Sequence, residues 1–119
     1  MINVYIQKNL FTKDELDALS TEQYQFGEIE TLGFAPEQYI MVFIECARNI
    51  GYNALYDAIK YVITSISNRF VHKKSDMERI PTIIDVKCGE DQFHLDTQVP
   101  LSEEAIREIS KEVSAKVFK

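Results

Sequence analysis

The sequence predicts an α+β domain: a two-layer sandwich in which helices pack on one face of a mostly antiparallel sheet. Three observations carry this expectation. The chain opens with Ile2, Val4 and Ile6 at alternate positions, residues 83–97 have the pattern of a hairpin, and helical apolar periods occur on both sides of that hairpin. At 119 residues, with 45% hydrophobic and 27% charged residues but only four Gly and three Pro, the chain has the size and balance of one packed domain spanning 1–119.

Ile2-Asn3-Val4-Tyr5-Ile6 reads as a strand with Ile2, Val4 and Ile6 on its buried face. Thr12-Lys13-Asp14-Glu15 has capping-box spacing, which predicts a short helix over 13–19 anchored by Leu16 and Leu19. In residues 22–32, Tyr24 and Phe26 share one parity and Ile29 and Thr31 the other, the pattern of a strand or a hairpin broken near Gly27. Pro36 and Glu37 suit the first turn of a helix. Between Tyr39 and Ile50 apolar residues cover most of a helical circumference, so a central helix buried on more than one side is expected there. Gly51 is expected to end it in a left-handed cap. Asn53 is expected to cap a second helix bearing Leu55, Ala58, Ile59, Val62, Ile63, Ile66 and Phe70 in period; one kinked helix over 36–70 fits equally.

Residues 72–79 are polar, lack an apolar face and hold the chain's one basic concentration, which predicts an exposed connection or a frayed helix end. Ile83 to Cys88 and Phe93 to Thr97 then flank Gly89-Glu90-Asp91-Gln92 as a hairpin. With Glu90-Asp91 at the tip, Cys88 faces Phe93, Val86 faces Leu95 and Ile84 faces Thr97. On the other face Lys87 opposes His94 and Asp85 opposes Asp96. Ser102 caps a final helix with Glu103 and Glu104 in its first turn, an apolar stripe of Ala105, Ile106, Ile109, Val113 and Val117, and Lys116 and Lys119 near its negative end.

Composition argues against several classes. A net charge of −6 opposes the counterion release that drives nucleic-acid binding. The helix–Gly–helix arrangement over 47–61 fails as a DNA-reading motif because its second helix offers Asp57 and a single base, Lys60. The two cysteines, Cys46 and Cys88, read as buried thiols, and the N-terminus lacks the signature of a leader, so a cytoplasmic location is expected. The most apolar stretch, 39–66, is interrupted by Glu45, Arg48, Asn49, Asn53, Asp57 and Lys60, which rules it out as a membrane span. Gly27, Gly33, Gly51 and Gly89 are too dispersed for a phosphate-binding loop. His72 and His94 lie in different elements with no ligand spacing around them, so neither cofactor nor metal is expected.

Two candidate sites remain. Asp85, Lys87, His94 and Asp96 share the polar face of the hairpin, where a carboxylate could orient His94 as a base. The parity that groups them puts Cys88 on the opposite face, which separates it from His94. On the second helix Tyr52 and Tyr56, four residues apart, sit at the edge of the apolar stripe and can serve an interaction face.

Gly33-Phe34-Ala35-Pro36 before the apolar helical region, Ile83 to Gly89 with Phe93-His94-Leu95, and Ile106 with Ile109 follow an order of elements, an N-terminal strand, a long apolar helical middle and a closing hairpin plus helix, that resembles the effector-associated constant component of bacterial conflict systems. The resemblance spans nearly the whole chain and carries over no catalytic residue. It implies a non-enzymatic adaptor in a defence or toxin system. Three expectations follow: a protein-interaction domain of adaptor or immunity type, whose partner is another protein or itself; a small enzyme or ligand-binding protein using His94 with Asp85 or Asp96; and a homo-oligomer whose function lies in assembly.

Overall fold

The computed structural model describes residues 2–8, 10–30, 39–47, 50–70 and 80–117, with the Phe70 side chain left aside. It shows the expected α+β architecture: one five-stranded sheet and three helices, in the order β1 (Ile2–Gln7), α1 (Lys13–Leu19), β2 (Tyr24–Ile29), β3 (Ile40–Cys46), α2 (Tyr52–Phe70), β4 (Ile80–Cys88), β5 (Asp91–Val99) and α3 (Glu103–Val117). The strands lie in the order β2-β1-β3-β4-β5. The sheet is mixed. β1·β3 and β4·β5 are antiparallel, whereas β1·β2 and β3·β4 are parallel and are reached by crossovers through α1 and α2.

Alternation decides which face is covered. Ile2, Val4 and Ile6 of β1, Ile40, Val42, Ile44 and Cys46 of β3, and Ile80, Ile84, Val86 and Cys88 of β4 are buried in one core with Leu55, Ala58, Ile59, Val62, Ile63 and Ile66 of α2 and Ile106 and Val113 of α3. The three helices therefore occupy one side of the sheet, and among the described residues no helix or loop covers the other.

Local chemistry sets each helix. Thr12 Oγ1 accepts from the Glu15 amide at 3.1 Å while Glu15 Oε1 accepts from the Thr12 amide at 2.9 Å, the reciprocal cap predicted for α1. The backbone hydrogen bond from Thr12, aided by Arg69, also holds the Glu15 carboxyl below its ordinary range. Arg69 of α2 reaches Glu15 at 2.6 Å and lies 5.7 Å from the centre of the Phe11 ring, which ties α2 to α1. Tyr61 of α2 completes that junction. Its hydroxyl donates to the Leu19 carbonyl at 2.7 Å, and its ring stacks on Tyr24 and meets the edge of Phe26. At α3, Ser102 Oγ accepts from the Ala105 amide at 3.2 Å, as its position predicts.

Three local expectations are corrected. Residues 40–46 form a strand rather than a helix: Ile40, Val42 and Ile44 are β-branched, and with Cys46 they alternate in burial with Met41, Phe43 and Glu45. The apolar residues that seemed to encircle a helix are the two faces of a central strand. Gly51 consequently starts α2 instead of ending a helix. Its carbonyl accepts from the Leu55 amide at 3.1 Å, and the helix begins at Tyr52, one residue ahead of Asn53. In the hairpin the faces are as predicted but the register differs by two residues, because the turn is the pair Gly89-Glu90 with Gly89 at φ 62°. Val86 therefore faces Phe93, Ile84 faces Leu95, Asp85 faces His94 and Ile83 faces Asp96. Residues 24–29, expected as a strand or a broken hairpin, run as one strand through Gly27. The expectations for Pro36 with Glu37 and for 72–79 lie outside the described residues.

Candidate functional site

The uncovered face of the sheet takes every second residue of five strands. In register across its middle, Gly27, Tyr5, Phe43, Asp85 and His94 form one row, and Asn3, Glu45, Lys87 and Gln92 lie in the next. Met41 and Ile83 sit side by side on the other flank of the Phe43 row. Tyr5, Met41, Phe43 and Ile83 are half-buried, and the Tyr5 and Phe43 rings are 6.1 Å apart. The centre of this face is thus apolar and aromatic, and its β4–β5 side is charged.

All four residues of the predicted polar cluster stand on that charged side. Asp85 and His94 occupy directly opposed positions, and the His94 Nδ1 is 2.6 Å from Asp85 Oδ1. The Nε2 is 3.2 Å from Asp96 Oδ1, two residues along the same strand. Lys87 lies opposite Gln92, one step nearer the turn than the Asp85–His94 pair. The His94 pKa is raised from its ordinary 6.5, chiefly by the hydrogen bond to Asp85, which together with the charges of both carboxylates outweighs the opposing desolvation. With a carboxylate at each nitrogen, both N–H groups donate, so the arrangement suits an imidazolium clasp between β4 and β5. A general base needs a bare ring nitrogen facing its substrate, and here both are engaged.

A raised folded pKa means that the clasp stabilises the hairpin fully below the ordinary histidine value, and that this contribution is lost as pH rises through the raised one. Asp85→Asn is expected to bring the His94 titration back toward 6.5. The midpoint read from the imidazole proton shifts in an NMR titration checks this; an unmoved midpoint would assign the shift to Asp96.

A hollow of about 430 Å³ opens beside the clasp, lined by Phe43, Asp85, Lys87, Gln92 and His94 among others. A second, of about 500 Å³, lies between the start of β2 and the start of α2, lined by Ile2, Glu22, Tyr24, Ile50, Ala54 and Asp57 among others. Neither Tyr52 nor Tyr56 lines either hollow. Tyr52 is 37% exposed and Tyr56 half-buried, so the helical pair does share a surface of α2, while Tyr61, on the same helix, turns inward to Tyr24 and Leu19.

Cys46 and Cys88 are adjacent in register on β3 and β4 and buried on the helix-covered face, away from His94. The hydrogen bond shared with Cys88, and then burial, push the Cys46 thiol up, so it stays protonated. Among the described residues no group of three or more His, Cys, Asp or Glu side chains is arranged to hold a metal ion, and no helix is long and apolar enough to cross a membrane.

Sequence reasoning found the charged half of the open face and missed its aromatic half. Tyr5 was placed on a strand without a role, and Phe43 was assigned to a helix; the alternation of Ile40, Val42 and Ile44 was the signal that would have put Phe43 beside Tyr5. In comparisons with protein-family models, curated proteins and solved structures, nothing matches this chain.

Proposed function

We propose that this chain is a small intracellular protein-interaction domain that performs no chemistry, and that it binds its partner with the uncovered face of the sheet. The observation that carries this reading is the anatomy of that face: Tyr5, Met41, Phe43 and Ile83 at its centre, bordered by Glu45, Asp85, Lys87, His94 and Asp96. Aromatic residues in an apolar centre with charge at the rim are what a protein interface requires. An adaptor or immunity-type role in a bacterial conflict system is the biological setting we assign to it. The initial strand and the closing hairpin and helix support that setting, whereas the long apolar helical middle on which the resemblance also rests is here strand β3 followed by helix α2.

Affinity capture with three forms of the chain tests the surface. Tyr5→Ser/Phe43→Ser is expected to weaken retention of the partner bound by the wild type by at least ~30-fold, the effect of losing a central aromatic anchor. Tyr52→Ser/Tyr56→Ser is expected to retain it. The reverse result would move the interface to α2, and retention by both variants would remove it from either surface. The catalytic alternative, His94 acting with Asp85 or Asp96, has the adjoining hollow in its favour. It has less support, because the two carboxylates occupy both ring nitrogens.

A further inference from the structure

β5 is the last of the described strands in the sheet order, so among the described residues one of its two backbone edges has no strand beside it. The turn decides which groups that edge offers. A two-residue connection closes on a hydrogen-bonded pair, here Cys88 with Asp91, and the alternation of an antiparallel ladder then directs the N–H and C=O of residues 91, 93, 95, 97 and 99 to β4. Those of Gln92, His94, Asp96 and Gln98 point away from the sheet. Among the described residues, β5 makes no backbone hydrogen bond outside its ladder with β4. Of the features that keep edge strands from pairing, β5 has no bulge, Pro or Lys and is nine residues long; its charges are those of Asp91, His94 and Asp96, whose signs allow them to be matched across a pair.

We propose that a second copy of this chain pairs with β5 through its own β5, antiparallel about a twofold axis at Leu95, joining two five-stranded sheets into one. Charge selects this register. Residues with outward-pointing groups must face one another, which requires an axis through a residue, and near-complete overlap of the nine-residue strand confines that residue to His94, Leu95 or Asp96. An axis at His94 sets imidazole against imidazole, and an axis at Asp96 sets carboxylate against carboxylate. An axis at Leu95 sets each His94 against the second copy's Asp96, and each Gln92 against the second copy's Gln98. It also pairs the strand over its whole length, Asp91 with Val99 at either end. On the helix-covered side Leu95 meets Leu95 and Phe93 meets Thr97, which gives new cover to side chains that are half-buried in one copy.

This edge shares His94 and Asp96 with the rim of the face proposed for partner binding but none of its aromatic centre, so the Tyr5 and Phe43 changes test that face and the Gln92 and Gln98 changes test the edge, and either can fail alone. The test is light scattering of the full chain over a concentration range, together with amide hydrogen exchange. A mass twice the 13.8 kDa of one chain is expected, with concentration-dependent protection of the amides of Gln92, His94, Asp96 and Gln98. Gln92→Glu/Gln98→Glu places like charges at both outer pairs and is expected to weaken dimerisation at least tenfold. Gln92→Glu/Gln98→Lys is expected to keep it. Both positions are exposed, and circular dichroism confirms the fold of each variant. A monomer at every concentration, a dimer whose outer amides exchange freely, or equal association by the two variants would overturn the proposal.

Discussion

Truncating Ile44 to alanine is expected to cost about 2–5 kcal/mol of unfolding free energy and to lower the melting temperature by roughly 10–20 °C, read by calorimetry. Ile44 is fully buried in β3, between Val4 of β1 and Val86 of β4 in register, and its side chain faces the helix layer. No neighbour can close the space without displacing a strand. Against the about 5–15 kcal/mol that holds a typical domain, such a loss is large. The same scan carried along β3 distinguishes a strand from the helix that its composition suggests. Ile40→Ala and Val42→Ala should fall with Ile44→Ala, while Met41→Ala and Glu45→Ala should cost much less, since their side chains occupy the open face. A three- or four-residue period in the losses would refute the strand.

Gln7→Ala is expected to cost about 1–3 kcal/mol, measured by urea denaturation. Gln7 is 1% exposed, and its Oε1 accepts from the Met41 amide at 3.1 Å. The antiparallel β1·β3 ladder runs to Ile6 with Val42, so the side chain extends the ladder one step past its last backbone pair. Removing it leaves a partly buried N–H without an acceptor. Gln7→Glu separates this role from packing. It keeps the acceptor but buries a charge at neutral pH, so that variant should regain stability as pH falls and its carboxyl is protonated, whereas Gln7→Ala should not.

The parts of the fold legible in the sequence are those whose signals are local. The reciprocal Thr12 and Glu15 cap, the Ser102 cap and the two-residue period of the β4 and β5 faces all depend on neighbours within four residues, and all form as predicted. β3 was illegible because its period is hidden. A central strand flanked on both sides carries apolar residues on each face, and Met41 and Phe43 fill the positions where a polar residue would have exposed the alternation. The hairpin register depended on how many residues the turn takes. Gly89, able to hold φ 62°, permits two where four were assumed, and each pair shifts by two while every side chain keeps its face. That is why Asp85, Lys87, His94 and Asp96 were grouped correctly although His94 is opposed by Asp85 rather than Lys87.

The strand order has a consequence for how the chain assembles in time. The fold consists of two crossover units, β1–α1–β2 and β3–α2–β4, joined within the sheet along the β1·β3 ladder and in the helix layer where Arg69 and Tyr61 of α2 meet α1 and β2, with β5 added at the far side. As the chain leaves the ribosome, β1 can recruit β2 early, but its other edge waits for β3, and β3 in turn waits for β4 until about residue 88 has emerged. Ile40, Val42 and Ile44 therefore spend that interval as an apolar strand with one flank unpaired. Such a segment pairs with whatever edge is nearest, so yield on refolding is governed by chain concentration more than by final stability.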